Sequence, residues 1–240
     1  MLGYDKLKDR PRDFLAATSL TLEEFHKLLP AFRAAYEKRY PPERTREGNA
    51  RRRHAGGGAK GALPNFKDKL LFILVYQKTN PLQTMQALQF NLSQPQANFW
   101  IHQLLPVLQQ ALGDSGWAPE RNASRVAHSQ VVLEGAPDVT IDGTERRRQR
   151  PADEALQKEH DSGKKKAHTD KNMLLVNENT GKVVYLGPTV AGKTHDKKAA
   201  DEAAIAYPVN ATLDKDTGFQ GYEPVGVLTR QPKKSRKAKN

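Results

Sequence analysis

The sequence contains no cysteine among its 240 residues. Disulfide bonds and thiolate zinc sites are therefore excluded, and nothing in the composition indicates an oxidising compartment. Long apolar runs are missing as well: no stretch approaches the roughly 20 apolar residues of a membrane helix, and the first residues do not resemble a secretory signal. We therefore expect a cytoplasmic protein with no membrane partner.

Basic residues are in excess and are clustered. Lys and Arg number 39 against 27 Asp and Glu, a formal net charge of +12 that indicates an anionic partner. The basic runs lie at residues 44–53, 146–150, 164–166 and 230–239. A single run of this kind is more often a solvated loop or tail, but four runs in one chain favour contacts with nucleic-acid phosphates.

A capping-box pattern marks the first predicted helix. Thr21 is followed by Glu24 and by apolar residues at helical spacing, which predicts a helix over residues 21–36. The periodicity is lost between residues 41 and 61, where proline, arginine and glycine predict a basic flexible linker. Residues 1–40 are therefore predicted to form an N-terminal helical segment.

Three helices are predicted after the linker, within a domain over residues 62–117. They cover residues 66–78, 81–89 and 93–112. Because the last two are joined by a very short connection and Ser93 caps the longer one, the pattern indicates a helix-turn-helix. Four polar side chains near the start of that helix are predicted to contact DNA: Gln94, Gln96, Asn98 and His102. Many all-helical cores share this pattern, and only the basic clusters favour DNA binding over plain helical packing.

Short β-branched runs replace the helical pattern after residue 117 and predict a second domain over residues 118–240. The runs stand at residues 131–133, 139–141, 173–176, 183–186 and 209–213. Residues 177–182 predict a hairpin loop, and residues 195–206 predict a helix between two strands. The second domain is therefore predicted to contain a mixed α/β sheet.

Two aspartates follow predicted strands. Asp142 ends one run and precedes Gly143, so its side chain is expected at a strand terminus where the backbone turns sharply. Asp216 stands just beyond another run. Two carboxylates at the ends of neighbouring strands suit Mg²⁺, which takes oxygen ligands. On spacing alone, however, ordinary turn chemistry is the better interpretation of Asp before Gly or Thr-Gly.

Four motifs carry a more specific signal. They are residues 141–150 (IDGTERRRQR), 162–172 (SGKKKAHTDKN), 194–198 (THDKK) and 216–222 (DTGFQGY). In this order they resemble the motifs of DDE-superfamily insertion-sequence transposases of the Harbinger-like group, and the helical residues 66–112 resemble the helix-turn-helix that precedes the nuclease in that family. The resemblance implies an α + α/β fold, in which the helix-turn-helix is followed by a ribonuclease-H-like mixed α/β domain.

The resemblance also implies partners and setting. Double-stranded DNA would be bound at the terminal inverted repeats and at the target. Because transposases of this type commonly act as dimers, a homodimer is expected. The setting would be prokaryotic and nucleoid-associated.

Catalytic roles are implied in the same way. Asp142 matches the family's first catalytic aspartate and Asp216 the second, both ligands of Mg²⁺ or Mn²⁺, with Asp196 as an auxiliary acidic metal ligand. Phosphates would be contacted by Arg146, Arg147, Arg148, Lys164, Lys165 and Lys166. The family's third carboxylate is a Glu downstream of the second aspartate. We expect it to be absent before Asn240, so that the catalytic domain is partial and inactive alone.

Three alternatives remain at this stage. The chain is a truncated, non-catalytic transposase that binds DNA and represses the full enzyme, or it is a relic that does not fold. The third alternative is a nucleotide hydrolase. It is based on residues 187–194, which match the phosphate-binding loop pattern G-x-x-x-x-G-K-T. That interpretation is disfavoured because Pro188 removes one amide donor and little chain is left for further strands.

Overall fold

Helices dominate the first half of the chain and a sheet the second, in a computed structural model that describes residues 1–44, 48–51, 61–129 and 138–232. The two halves form separate units, Met1–Trp117 and Ala118–Asn240. Most of the predicted linker, the predicted strand at 131–133 and most of the basic run at 230–239 lie outside the described residues.

Six helices are described in the first unit. They are α1 (Tyr4–Leu7), α2 (Pro11–Thr18), α3 (Leu22–Arg39), α4 (Phe66–Thr79), α5 (Gln83–Phe90) and α6 (Gln94–Asp114). The capping box predicted at Thr21 is confirmed: its side chain accepts from the Glu24 amide, and Glu24 accepts from the Thr21 backbone. α1 and α2 were not predicted individually, although both lie within the helical segment predicted over residues 1–40.

Apolar side chains of all six helices share one core. Phe14, Phe25 and Phe72 are fully buried, and Phe72 meets Phe90 edge-on with ring centroids 5.0 Å apart. Aromatic pairs in this arrangement add to the stabilisation from area burial. None of the described helices is long and apolar enough to cross a membrane.

The second unit alternates strands and short helices. In chain order these are a 3₁₀ turn (Ala123–His128), β1 (Asp138–Arg147), α7 (Glu154–His160), β2 (Asp161–Ser162), β3 (Ala167–Asn177), β4 (Val183–Ala191), α8 (Asp196–Ala203), β5 (Thr212–Lys215), a 3₁₀ turn (Thr217–Phe219) and β6 (Leu228–Arg230). The predicted hairpin is confirmed: β3 and β4 are antiparallel, and Gly181 supplies the positive φ of 65° that their loop needs.

The strands form one mixed sheet. β3 pairs antiparallel with β1, β4 and the short β2. On its other edge β1 pairs parallel with β5, which in turn pairs parallel with β6. The connection from β4 to β5 runs through α8, whose Ala199 and Ala200 are buried against the apolar face of the sheet. The mixed α/β content predicted from the sequence is confirmed.

Several predicted boundaries are wrong. β1 continues to Arg147 because β3 pairs with it that far, so Asp142 does not lie at a strand terminus. β5 begins only at Thr212, and Val209 is 86% exposed. α8 ends at Ala203 because Ala204 adopts a left-handed conformation.

Candidate functional site

The turn between α5 and α6 is compact because both of its ends are capped. Asn91 follows α5 with a left-handed φ of 55°, a conformation that Asn tolerates better than most residues. Ser93 then begins α6 by accepting a hydrogen bond from the Gln96 amide. One residue, Leu92, separates the two caps, so the start of α6 is set closely against α5.

Gln83 of α5 holds two of the four predicted base-contacting side chains. Its Oε1 accepts a hydrogen bond from Gln94 Nε2 at 2.7 Å and one from Asn98 Nδ2 at 3.1 Å. Gln94 is exposed and Asn98 half-buried. The sequence did not single out Gln83, because an amide in the preceding helix carries no signal of its own until the two helices are packed.

The other two predicted contacts have different environments. Gln96 completes the second half of the capping box, since its Oε1 accepts from the Ser93 amide at 3.0 Å. Its amide nitrogen points away from that bond and is the group left to meet a ligand. His102 lies two turns further along α6 and is exposed.

The basic residues of the second unit gather at one end of the β1–β3 ladder. Residues 146–148 lie at and just beyond the end of β1, and the exposed turn at residues 163–166 leads into the start of β3. Because the two strands are antiparallel, the end of one lies beside the start of the other. The structure thereby brings together both basic clusters predicted to contact phosphates.

The arginines differ in the side chains with which their guanidinium groups already interact. Arg148 donates to the Asp170 carboxylate at 3.0 Å, and Arg146 donates to Asn172 at 2.8 Å. Arg147 is exposed, as are the three lysines of the turn. A guanidinium that keeps a carboxylate partner offers less net positive charge to DNA.

Asp142 in β1 and Asp216, the first residue after β5, occupy equivalent positions along two parallel strands. The last register pair joins Ile141 of β1 to Lys215 of β5, and each aspartate is the next residue. Both side chains are exposed. Asp142 Oδ1 accepts from the Gly143 amide at 2.7 Å, and Asp216 Oδ1 accepts from the Gly218 amide at 2.8 Å.

Asp196, at the start of α8, lies close to the backbone beside both aspartates. A Cβ added to Gly143 would stand 2.8 Å from its Oδ1, and one added to Gly218 would stand 2.7 Å from its Oδ2. The second of these positions is also 2.9 Å from Asp216 Oδ1, so the carboxylates of Asp196 and Asp216 face the same small space.

A buried lysine is bonded to the Asp196 carboxylate. Lys171 Nζ donates to Asp196 Oδ1 at 2.6 Å and to the Thr194 carbonyl at 2.8 Å. It also lies 3.7 Å from Glu145 Oε1, its direct cross-strand neighbour. Only 6% of the side chains of Lys171 and Glu145 is exposed. This pair was not predicted, because its members are 26 residues apart in the chain and only the register of β1 against β3 brings them together.

Glu145 is stabilised as a carboxylate. Burial is the largest influence and raises its pKa, but hydrogen bonds from Ser162 and Thr169 and nearby positive charges together hold the pKa of this carboxyl below its usual value. Those charges belong to Lys171 and Lys164. A pocket of about 300 Å³ opens beside these groups, between the turns at residues 161–164 and 192–196.

The phosphate-loop interpretation of residues 187–194 is wrong. The first five of these residues belong to β4, and Thr189, Val190 and Ala191 are paired with β3. Such a loop must instead turn its amides toward a phosphate. A Cβ on Gly192 would stand 1.9 Å from Thr169 Oγ1, so this glycine serves close packing against β3.

The aspartates suit magnesium only with help from solvent. Among the described residues, no group of three or more His, Asp or Glu side chains converges to hold a metal ion. Mg²⁺ keeps several water ligands and is commonly held by one or two carboxylates, which is the number that Asp142 and Asp216 provide. Asp196 has an ammonium partner on one oxygen, and the metal-ligand role predicted for it stays a prediction.

Comparison with known proteins bears on the helical part of the chain. A family model described as the helix-turn-helix of DDE superfamily endonuclease matches residues 61–114. These residues contain α4, α5 and α6. Neither a curated protein nor a solved structure matches the chain. The match confirms the predicted helix-turn-helix and supports a transposase-like DNA-binding role.

Proposed function

We propose that this protein is a transposase of an insertion sequence, of the Harbinger-like group of the DDE superfamily. The observation that carries the proposal is the match of residues 61–114 to the helix-turn-helix of DDE superfamily endonucleases. In this proposal the helical unit binds the terminal inverted repeats of the element, and the sheet unit cuts and joins DNA with the help of a divalent metal.

The helical unit recognises DNA through the first turns of α6. In a helix-turn-helix the second helix enters the major groove with its N-terminal residues on the base edges. Gln94 and Asn98 reach that position with their amides ordered by Gln83. Amide side chains pair well with adenine in this groove. His102 extends the same surface by one more turn.

The sheet unit has the order of elements that supports a ribonuclease-H-like fold. Its first strand pairs with an antiparallel hairpin, a helix follows, and two further strands run parallel to the first. This order sets Asp142 and Asp216 side by side at one point of the sheet.

Asp142 and Asp216 would hold Mg²⁺ or Mn²⁺ through their carboxylates. When bound, such an ion activates an attacking oxygen and stabilises the leaving oxygen of a phosphodiester. The basic residues 146–148 lie roughly 13 Å or more further along β1 from Asp142, at about 3.3 Å a residue. They and the lysines of the 163–166 turn would hold DNA phosphates while the scissile bond lies at the aspartates.

DNA binding without cutting is the second candidate function, and the confinement of the family match to residues 61–114 favours it. In that case the protein occupies the element ends and represses the full enzyme. Homodimerisation, and a prokaryotic, nucleoid-associated setting, remain predictions under either function.

One experiment separates the two candidates. DNA carrying the sequence that flanks the coding region is incubated with the protein and Mg²⁺, and nicking and binding are measured together. For a transposase, Asp142→Asn and Asp216→Asn abolish nicking and leave DNA affinity unchanged. Asp201→Asn, which alters an exposed carboxylate on α8 paired with Lys197, is the matched control and keeps both.

The outcomes differ plainly. Binding without nicking by the unaltered chain agrees with the predicted absence of a third carboxylate and supports the repressor function. Nicking by the unaltered chain overturns the prediction that it is inactive alone. Nicking that survives Asp142→Asn removes this residue from the site. Failure to bind any duplex with sequence preference rejects both candidates.

A further inference from the structure

Two glycines stand beside the proposed metal ligands, and backbone conformation does not account for them. Gly143 follows Asp142, and Gly218 follows Asp216 by two residues. Neither is among the described glycines with a positive φ. Gly143 lies inside the regular strand β1, where a side chain is ordinarily favoured. Glycine is therefore explained at each position by the lack of room for a side chain.

The carboxylate of Asp196 occupies that space at both positions. Its Oδ1 lies 2.8 Å from where a Cβ on Gly143 would stand, and its Oδ2 lies 2.7 Å from the corresponding point on Gly218. Contacts this short do not occur for real Cβ atoms. A methyl group added at Gly143 would therefore displace Asp196, and one added at Gly218 would displace Asp196 and Asp216. One carboxylate thus bridges the backbone next to Asp142 and the backbone next to Asp216.

Lys171 fixes the orientation of the bridge. Its Nζ is bonded to Asp196 Oδ1 and to the Thr194 carbonyl, and the Glu145 carboxylate lies on its remaining side. The ammonium donates two hydrogen bonds, and the Glu145 carboxylate at 3.7 Å adds a second negative charge beside it, as a buried cation requires. Lys171 belongs to β3, which is paired with β1 through the Asp142 region, so the bridge is anchored in the centre of the sheet.

We infer that Asp196, held by Lys171, is a positioning residue that sets the spacing between Asp142 and Asp216 by bridging Gly143 and Gly218. The inference rests on the proposed function, in which those two aspartates hold a divalent metal. It differs from a ligand role for Asp196, because the oxygen facing β1 is bonded to an ammonium group.

The two roles predict opposite effects of removing the lysine charge. If Asp196 is a ligand, Lys171→Met removes a competing cation and strengthens metal binding. If Asp196 is a positioning residue, the same change releases the bridge and weakens metal binding. Gly143→Ala tests the bridge without altering any charge, and it remains available should Lys171→Met fail to fold. Gly218→Ala disturbs Asp216 as well as the bridge, since its added Cβ would also stand 2.9 Å from Asp216 Oδ1.

The experiment is a titration of the full chain with Mn²⁺, followed by water-proton relaxation, with thermal unfolding of each variant recorded in parallel. We expect Lys171→Met, Gly143→Ala and Gly218→Ala each to weaken Mn²⁺ binding by about tenfold, or 1.4 kcal/mol. Gly163→Ala is the matched control, since a Cβ there meets nothing within 4 Å; it leaves the affinity unchanged.

A mutant cycle checks the contact itself. Combined with Asp196→Ala, the Gly143→Ala change should cost little further stability, because the carboxylate that clashes with the added Cβ is gone. Additive losses of stability would show that no bridge exists.

The remaining outcomes separate the inference from the function on which it rests. Tighter Mn²⁺ binding by Lys171→Met, or unchanged binding by both alanine variants, overturns the positioning role while Asp142→Asn still abolishes binding. If Asp142→Asn and Asp216→Asn bind Mn²⁺ as the unaltered chain does, the proposed metal site is rejected, and the inference is rejected with it.

Discussion

Removing the Gln83 side chain should lower sequence discrimination by the helix-turn-helix while sparing general DNA affinity. Gln83 accepts hydrogen bonds from Gln94 at 2.7 Å and from Asn98 at 3.1 Å. In Gln83→Ala both amides lose this partner and become free to rotate. The two side chains must then be ordered when DNA binds. The free-energy cost of that ordering weakens binding in the variant, whereas in the unaltered chain the side chains are already ordered before binding.

The size of the effect follows from the exposure of the bonds. A hydrogen bond contributes about 0.5–1.5 kcal/mol net, and the lower end applies here because Gln94 is exposed and Asn98 half-buried. Two such bonds amount to about 1–1.4 kcal/mol, which is about a five- to tenfold loss of affinity for the preferred sequence. Binding to unrelated duplexes comes mainly from phosphate contacts and should not change.

The quantity to measure is the ratio of two affinities, one for a duplex selected from a random pool and one for a scrambled duplex of equal length. Fluorescence anisotropy at one fixed salt concentration gives both affinities. Gln109→Ala is the control, since it removes an exposed glutamine from the same helix α6. An unchanged ratio of the two affinities in Gln83→Ala would refute the idea that α5 orders the reading side chains. An equal loss on both duplexes would instead indicate damage to the fold.

Two further predictions concern charge in the sheet unit. Arg147→Gln should reduce the dependence of DNA affinity on salt by about one unit of slope, while Arg148→Gln reduces it less because Asp170 already pairs with that guanidinium; equal slopes for the two variants would contradict this. The pKa of Glu145 is held below its usual value in the folded protein. Ionised Glu145 therefore stabilises the native state at pH values above its usual pKa, and this stabilisation is lost as the pH falls through the lower pKa of the folded state. The stability difference between the unaltered chain and Glu145→Gln, measured by urea unfolding, should therefore shrink on acidification from about pH 6 to about pH 3; a constant difference would show that Glu145 gains nothing from its partners.

Local chemistry made several elements predictable from the sequence. The caps at Thr21 and Ser93 are such cases, because a side-chain oxygen placed three residues before a Glu or Gln satisfies helix amides within one turn of chain. The hairpin at residues 177–182 is another, since Gly181 can take the positive φ that its turn requires. The helix-turn-helix follows from such signals and the apolar stripe of α6.

Partners distant in sequence decided what the local pattern could not. β1 extends to Arg147 because β3, more than twenty residues further on, pairs with it that far. Most of the phosphate-loop motif at residues 187–194 is a strand for the same reason, because residues 189–191 are paired with β3.

The candidate metal site shows the same division. That Asp142 and Asp216 each come directly after residues of a strand is readable from the sequence, because β-branched runs precede them, although β1 continues past Asp142. That they are adjacent depends on the parallel pairing of β1 with β5, which no local signal specifies. The role of Gly143 and Gly218 depends on Asp196 and Lys171, which approach them only after α8 packs on the sheet. The sequence by itself determined the residue types at this site, and the tertiary structure decided which of them meet, since contact between distant residues depends on packing and not on neighbouring letters.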